Sequence, residues 1–538
     1  MSDMRTLLIN VPYPFSECPT LPLGLTYLAA VLEKNGYEVQ ILDMVISRFS
    51  LKKIKEKILE FKPDICGAGP VTMNYPTALR ALKVCKEMGC MTVIGGCHVT
   101  FWDEECLTEA PYIDVVVRRE GEYTLLDLVK GRDFKDILGI TYREDGQIVV
   151  NPDRPFIQNL DELPFPARHL LPLAKYHAYK TGASMITARG CPYHCIFCVG
   201  HKMVGSKVRY RNPKLVVDEI EEILSLGFKD ICIEDDQLTM NHKHVFAICD
   251  EIISRGLKFD WAAFSRCDTV TPELVKKMRE AGCYYFCYGV ESGNQRILDL
   301  ARKRQTREKI VRGVKIAKQG GINVLASFIM GLPGETPQTM KESLEFGASL
   351  NTSYGYHILA PFPGTEVREK AKEFGIRILH NNWLRYDANQ AVTESDEVPK
   401  ELLNKVVGEF NAAIEECIRD TERQVEQGTA TPDMVAEINL RRRRKLAWLL
   451  LKNDRIERHG ITENNGEEPV KLLADKMHSF GSISRILKRD QVETVLGQFV
   501  KEGLLEYKAD DNKIQWNWVD IGAKVRKKQI PEIQKMKT

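Results

Sequence analysis

Two successive runs of alternating strand and helix patterns, followed by a mainly helical stretch, predict an α/β protein of several domains. At 538 residues the chain is too long for a single hydrophobic core. Residues 5–130 alternate short β-rich apolar runs with helical segments five times, and residues 183–362 do so six times. From about residue 395 the pattern becomes mainly helical.

Taken in order, the first five strand candidates are TLLINV, EVQILD, DICGAGP, MTVIGG and DVVVRR. Short apolar strands separated by helices form a parallel, doubly wound sheet covered on both faces. Such a sheet binds its ligand beyond the carboxyl ends of its strands. GAGPVT (67–72) and GGCHVT (95–100) fall there. Residues 136–180 read as a linker, with a Pro-rich turn, DELPFPARHLLP, at 161–172. The second alternation runs through ASMITAR (183–189), DICIEDD, FDWAAFSR, YYFCYGVE, NVLASFIMG and YGYHILAPF. Six β/α units make either an open barrel or another doubly wound sheet, and periodicity does not choose between them. Within the helical region 376–538, residues 468–520 read as three helices and a strand pair, LLEYKADDNKIQW, which suggests a winged-helix-like unit.

Composition sets the bounds. Apolar residues make up 43% and charged residues 28%, with a net charge of +2, so no polyanion-binding surface spans the whole chain. No apolar run reaches the roughly 18 residues that a membrane span needs. MSDMRTLLIN runs straight into a strand pattern, so no secretory signal is expected. The 15 cysteines are odd in number and scattered, which predicts reduced thiols in a cytoplasmic protein.

ARGCPYHCIFCVG (188–200) directly follows the first strand of the second alternation and carries Cys191, Cys195 and Cys198 as C-x3-C-x2-C. Structural zinc takes four ligands in paired knuckles. The neighbourhood offers His194 and His201 but no second C-x2-C pair. Three thiolates without a fourth suit an iron–sulfur cluster that leaves one iron open to another ligand. Zinc or free thiols are the alternative.

With this motif behind the first of six β/α strands, the chain resembles the radical S-adenosylmethionine enzymes over roughly residues 5–375. The resemblance implies a partial (β/α)6 TIM-type barrel over 181–375. It also implies a 4Fe–4S cluster on Cys191, Cys195 and Cys198, with the amine and carboxylate of S-adenosylmethionine on the open iron. Reductive cleavage would then give methionine and a 5′-deoxyadenosyl radical. Further segments match in order. IEDDQLTM places Glu234, Asp235 and Asp236 near the methionine amine, where a cationic ligand favours carboxylates. Arg266, ending the third strand, would pair the methionine carboxylate. YGVESGNQRIL places Glu291 and Ser292 at the ribose and methionine, and SFIMGLPGET sets Met330, Gly331 and Leu332 beside the adenine. APFPGTEV closes the sixth strand. Solvated acids at a turn and a surface arginine are the plainer readings.

A preceding five-unit domain, here 1–135, resembles the flavodoxin-like cobalamin-binding domain of class B radical methyltransferases and anaerobic cyclases. P-x-G (22–24), G-x-x-V-x-x-x-D (36–43), DICGAGPVT, GGCHVT and RREGE (118–122) fit that layout. The resemblance assigns Thr72, Gly95, Gly96, His98, Thr100 and Glu120 to cobalamin. The D-x-H-x-x-G signature is absent, since His98 has no Asp two residues before it. Cobalamin is therefore expected with its base detached and no histidine on cobalt. A nucleotide or flavin domain, or one that binds nothing, stays open.

The implied function is methylation of an unreactive carbon, with non-methylating radical oxidation or cyclisation as the alternative. The implied partners are a small-molecule or peptide substrate and an electron donor such as flavodoxin or ferredoxin. A cobalamin- or redox-sensing regulator acting through the winged helix is a third reading. A tRNA methylthio-transferase is disfavoured, because Cys18, Cys66, Cys85, Cys90, Cys97 and Cys106 do not fall at matching strand ends. Arg441–Arg444, Lys445 and the tail from Lys524, with six basic residues against Glu532, invite nucleic acid. Four consecutive arginines point all round a helix, however, and form no stripe, so nucleic acid is not expected. His357, Tyr354 and Tyr356 are candidates for a substrate cavity, and Cys283 and Cys287 for a proton donor or radical quencher.

Overall fold

The computed structural model describes residues 4–14, 19–523 and 525. Cys18 and, Val525 apart, the basic tail from Lys524 lie outside them. The first sheet has the order β2-β1-β3-β4-β5-β6-β7. Its strands β1 (Thr6–Asn10), β2 (Val39–Asp43), β3 (Ile65–Ala68), β4 (Met91–Ile94) and β5 (Val115–Val117) are the five expected, all parallel. Two more, β6 (Ile140–Glu144) and β7 (Gln147–Val150), extend the edge antiparallel. The stretch read as a linker thus begins with a hairpin, turned at Asp145 and Gly146 with φ of 48° and 80°. Two successive left-handed residues give the turn whose twist matches paired strands. The strand order reverses between β1 and β3, and that reversal opens a crevice at their carboxyl ends.

The second sheet contains β8 (Ala183–Met185), β9 (Asp230–Ile233), β10 (Asp260–Ser265), β11 (Cys283–Glu291), β12 (Asn323–Met330) and β13 (Ser353–Ile358). All pairs are parallel and the spatial order follows the chain. A sequential order carries every crossover the same way round, so this is an open barrel, with β8 and β13 as its free edges. Asn212, Asn241, Thr271, Thr306 and Thr336 cap the covering helices with their side chains, and proline follows at three of these starts. Ile231, Ile233, Trp261, Ala263, Phe286, Tyr288, Ala326 and Phe328 are buried beneath those helices. Their strand neighbours Cys232, Phe264, Tyr285, Cys287, Leu325, Ser327 and His357 alternate onto the lumen face and stay partly or fully exposed.

In the C-terminal region, helices Lys400–Gln427 and Pro432–Leu451 form a long hairpin. Helices Pro469–His478, Gly481–Ser484 and Arg489–Lys501 follow. They pack with an antiparallel sheet of β14 (Ile461–Glu463), β16 (Lys513–Trp518) and β15 (Leu505–Ala509), in that spatial order, so three helices and a strand pair follow one another as expected, with β14 added at the edge. The arginine run is spent on docking. Arg443 is buried, pairs with Glu502 at 2.7 Å and donates to the carbonyls of His177 and Ala178. Arg444 reaches the carbonyls of Tyr179 and Lys180, and Arg441 pairs with Glu437. Among the described residues no helix is long and apolar enough to cross a membrane.

Charge joins the first domain to the barrel. Glu120 and Glu122, just past β5, meet Arg189 and Arg209 of the barrel. The distances are 2.8 Å for Arg209–Glu120, 3.2 Å for Arg189–Glu120 and 2.6 Å for Arg189–Glu122. The Ile157 N–H donates to Glu120 at 2.7 Å, and Arg209 donates to the carbonyls of Ile157 and Val204. Two carboxylates facing two guanidiniums leave no net buried charge, but removing one member strands the others. Glu120→Gln is therefore expected to lower stability by about 3 kcal/mol, seen as an earlier transition in denaturant. An unmoved midpoint would show that the network does not hold the domains together.

Candidate active site

β8 leads directly into the three thiols, and buried groups set the path. The Asp235 carboxylate accepts from the backbone N–H groups of Thr187 (2.6 Å) and Ala188 (3.1 Å), and burial pushes its pKa up to about 6. It clamps the turn and has no oxygen aimed at a ligand. Asp236 accepts from Gly190 N–H at 3.4 Å and stands beside Cys191 and Cys198. Gly190 has a φ of 118°, and a Cβ there would lie 2.5 Å from the Lys207 carbonyl oxygen. Only glycine makes that turn.

The aromatics between the cysteines hold the loop from both sides. Tyr193 lies under the Arg266 guanidinium, 3.9 Å from its ring centroid. Phe197 packs against a small core of Ile297, Leu332, Leu359 and Val367. Ile196 bonds Ala301 and Val367 through its backbone at 3.2 and 2.9 Å. Burial raises all three thiols above their usual range, Cys198 to about 11, so the metal-free loop favours the protonated thiols. Among the described residues no three His, Cys, Asp or Glu side chains converge on a single-ion site, and His194 and His201 stack on each other at 4.3 Å. Three soft sulfur donors on one anchored loop fit a multi-iron cluster better than one zinc ion.

The strand ends around this loop divide the expected ligand residues into two groups. Glu234 accepts from the Ser184 hydroxyl at 2.6 Å and also faces the cavity described below. Arg266, expected to pair a ligand carboxylate, has other partners. It donates to Asp268 at 2.9 and 3.0 Å and to the carbonyls of Lys303 and Arg304 at 2.8 and 3.1 Å. Its geometry is that of a support for Tyr193. Glu291, with a φ of 71°, accepts from Lys303 Nζ at 2.6 Å. Ser292 is buried between the Asn294 N–H and the Ser343 hydroxyl. The Met330 and Leu332 side chains are buried, so this segment offers a ligand its backbone. Gly331 N–H donates to Glu335 at 2.5 Å. Glu335 is 2% exposed, its other oxygen has no partner, and burial raises its pKa to about 8. Of the proposed lumen residues, His357 is exposed on the inner face, whereas Tyr354 and Tyr356 pack outward against Phe410 at 5.4 and 4.7 Å. Cys283 is buried in the core, and Cys287 faces the lumen.

Above the barrel mouth, at the β1–β3 crevice, lies a cavity of about 470 Å³, a size usual for small-molecule sites. Its walls include Asn10, Tyr13, Gly24, Gly69, Val71, Gly95, Gly96 and Glu120 from the first domain, and Arg189, Met203 and Glu234 from the barrel. Gly96 has a φ of 92°, and a Cβ there would lie 2.7 Å from the Pro70 carbonyl oxygen, so the cradle requires glycine. Glu120 lines the cavity, yet both its oxygens are bound to arginines and to Ile157.

Thr72, His98 and Thr100 are not among the walls. GGCHVT winds into a short helix, Cys97–Thr100, that turns His98 and Thr100 away from the glycines, while Thr72 starts a separate 3-10 turn, Thr72–Asn74. Thr100 bridges the Gly96 carbonyl and Arg119 N–H at 2.8 and 2.9 Å. His98 sits 3.2 Å from the Thr72 hydroxyl, enclosed by Tyr75, Trp102 and Trp383, and burial lowers its pKa to about 3. It is a neutral packing residue between the first domain and the chain after β13. A glycine-lined cradle with a mixed polar rim lets a cofactor lie close against the backbone.

Comparison with known proteins adds to this geometry. The Radical SAM superfamily pattern matches residues 185–347, and the B12 binding domain pattern matches residues 16–129. An uncharacterised methyltransferase of Pyrococcus horikoshii is 35% identical over 395 residues, 72% of this chain and 86% of the relative. The anaerobic magnesium-protoporphyrin IX monomethyl ester cyclase of Rubrivivax gelatinosus is 32% identical over 72% of this chain and 73% of its own. Among solved structures, the cobalamin-dependent S-adenosylmethionine radical enzyme OxsB, with aqua-cobalamin and S-adenosylmethionine bound, superposes with a TM-score of 0.65 at 19% identity. The match covers 93% of this chain and 79% of that one, and shows the shared fold.

The raised Glu335 carboxyl gives a pH signature. Its folded value of about 8 exceeds the usual 4.5, so its contribution to stability is full below 4.5 and is lost as pH rises through 8. Relative to Glu335→Gln, the wild type is expected to lose melting temperature across that window and to level off above it. Parallel curves for the two proteins would refute a proton on Glu335.

Proposed function

Because the chain belongs to the cobalamin-binding radical S-adenosylmethionine enzymes, we propose that it methylates an unreactive carbon of a small-molecule substrate. The observation that carries this is the shared partition between thiol loop and cavity. Arg189 and Glu234 form cavity wall, while Cys191 lies two residues beyond Arg189 and Asp236 lies two beyond Glu234. A group in the cavity and a group on the thiols would therefore sit on either side of the same few residues.

When bound, the cluster and S-adenosylmethionine supply hydrogen-atom abstraction, and cobalamin supplies a transferable methyl group. The chain supplies placement. Cys191, Cys195 and Cys198 hold the cluster. Asp236 and Glu234 offer carboxylates to a cationic amine and sulfonium. The backbone around Gly331 would meet the base of S-adenosylmethionine, and the strand end at Glu291 and Ser292 would face its ribose. Gly95 and Gly96 let cobalamin lie against the backbone, with no histidine among the described walls. Phe264, Cys287 and Leu325 align as an uncharged lumen layer for the substrate, with Tyr285 one layer below. A low-potential one-electron donor such as a flavodoxin or ferredoxin supplies reducing equivalents.

The second reading, radical oxidation or ring formation without methyl transfer, draws support from the similarity to the Rubrivivax cyclase. Anaerobic reconstitution separates the outcomes. The protein is expected to take up about four irons per chain together with cobalamin and to release adenosine fragments from S-adenosylmethionine, with Cys195→Ala losing the iron. Label from methyl-labelled S-adenosylmethionine enters the product for methylation and stays out for cyclisation. Zinc without sulfide in the purified protein would sink both.

A further inference from the structure

Among the described residues, ten non-glycine residues have positive φ, and three of them, Glu291 (71°), Arg302 (53°) and Arg304 (54°), surround one side chain, Lys303. Such backbone is sparsely populated and persists only where its surroundings over-determine it. Here the alternation turns Arg302 and Arg304 out to solvent and Lys303 inward, where it is 7% exposed. Lys303 Nζ donates to Glu291 Oε1 at 2.6 Å. A Cβ on Gly289 would lie 2.4 Å from that oxygen and 3.0 Å from Nζ, so β11 is bare at the one point where the pair crosses it.

The same turn reaches the thiol loop. The Arg302 carbonyl lies 3.8 Å from Cys195 Sγ, and the carbonyls of Lys303 and Arg304 anchor Arg266 beneath Tyr193. Lys303 and Cys195 act on each other electrostatically, and the thiol feels the lysine more strongly than Glu291. Lys303 directly follows the residue whose carbonyl touches the Cys195 sulfur, and its side chain turns inward from that turn. Neutralising Glu291 alone would not require left-handed backbone on both sides of the lysine.

We propose that Lys303 is a positioning residue, a fixed buried positive charge on the turn that touches the Cys195 sulfur, and that it raises the reduction potential of the cluster. This rests on the cluster assignment made above. Reduction brings one electron from a low-potential donor, and so one extra negative charge, onto the group held by the three thiolates. A buried cation beside one of those ligands favours the reduced state, and nearby charge is among the levers that set such potentials.

The test is a redox titration of the reconstituted full-length protein without S-adenosylmethionine, read by electron paramagnetic resonance. Lys303→Met is expected to move the midpoint to a more negative potential and Lys303→Arg to bring it back. Glu291→Gln, which removes the opposing anion, is expected to move it positive. Equal midpoints in wild type and Lys303→Met at equal iron and sulfide content overturn the proposal. If Lys303→Met assembles no cluster, Glu291→Gln decides: a positive shift supports the proposal, and an unchanged or more negative value overturns it. Wild-type protein that takes up no iron and sulfide overturns the functional reading as well, whereas a wild-type cluster with unshifted variants overturns this inference alone.

Discussion

Two carboxylates against two guanidiniums, Glu120 and Glu122 with Arg189 and Arg209, fix the rest of the architecture. Parallel sheets present ligands at their carboxyl ends, and each partner of this network lies at or near such an end. Glu120 follows β5, and Arg189 follows β8 and precedes Gly190 and Cys191. Joining those points turns the ligand ends of the two sheets towards one another. The cavity is what remains between them. Burial makes each contact stronger than it would be in water and makes loss of one member costly.

Much of the charge near the site is occupied in building it. Asp235 clamps the exit from β8, Arg266 supports Tyr193, and Thr100 ties Gly96 to Arg119. What these residues leave open is sulfur, glycine backbone and a few carboxylate oxygens. Such a division suits cofactors that bring their own reactivity and need rigid placement. Strained backbone occurs where that placement is tightest, at Glu291, Arg302 and Arg304.

The parts legible in the sequence were those encoded by local pattern. Eleven strand candidates formed, because short apolar runs between capped helices specify β/α units whatever their connectivity. The choice between barrel and doubly wound sheet was not legible, since periodicity records burial and not which edge the next strand joins. The β6–β7 hairpin passed as linker because its edge strands are short and partly exposed, although Asp145–Gly146 marks the turn. Motif proximity does not record side-chain direction: the short helix after Gly96 carries His98 and Thr100 off the cavity wall, and Thr72 starts a separate 3-10 turn, Thr72–Asn74. Lys303 sits in the basic run ARKRQ, where nothing local separates the inward lysine from its outward neighbours. Its signal is the pair of left-handed residues, which is a property of the folded backbone.

The open barrel follows from the same economy. β8 and β13 do not pair with each other, so the sheet stays open and its inner face is uncovered at those edges. Phe264 remains 46% exposed there, beside Tyr285, Cys287 and Leu325. The chain has helices to spare, yet its longest packs Phe410 outside β13, against Tyr354 and Tyr356. The second hairpin helix is likewise drawn onto residues 177–180 by Arg443 and Arg444, and Arg443 ties Glu502 of the C-terminal unit to the same point. An exposed apolar layer that neither of these elements covers is of the kind found at binding sites. Its position below the thiol loop directs whatever it holds towards the junction that the ion-pair network fixes.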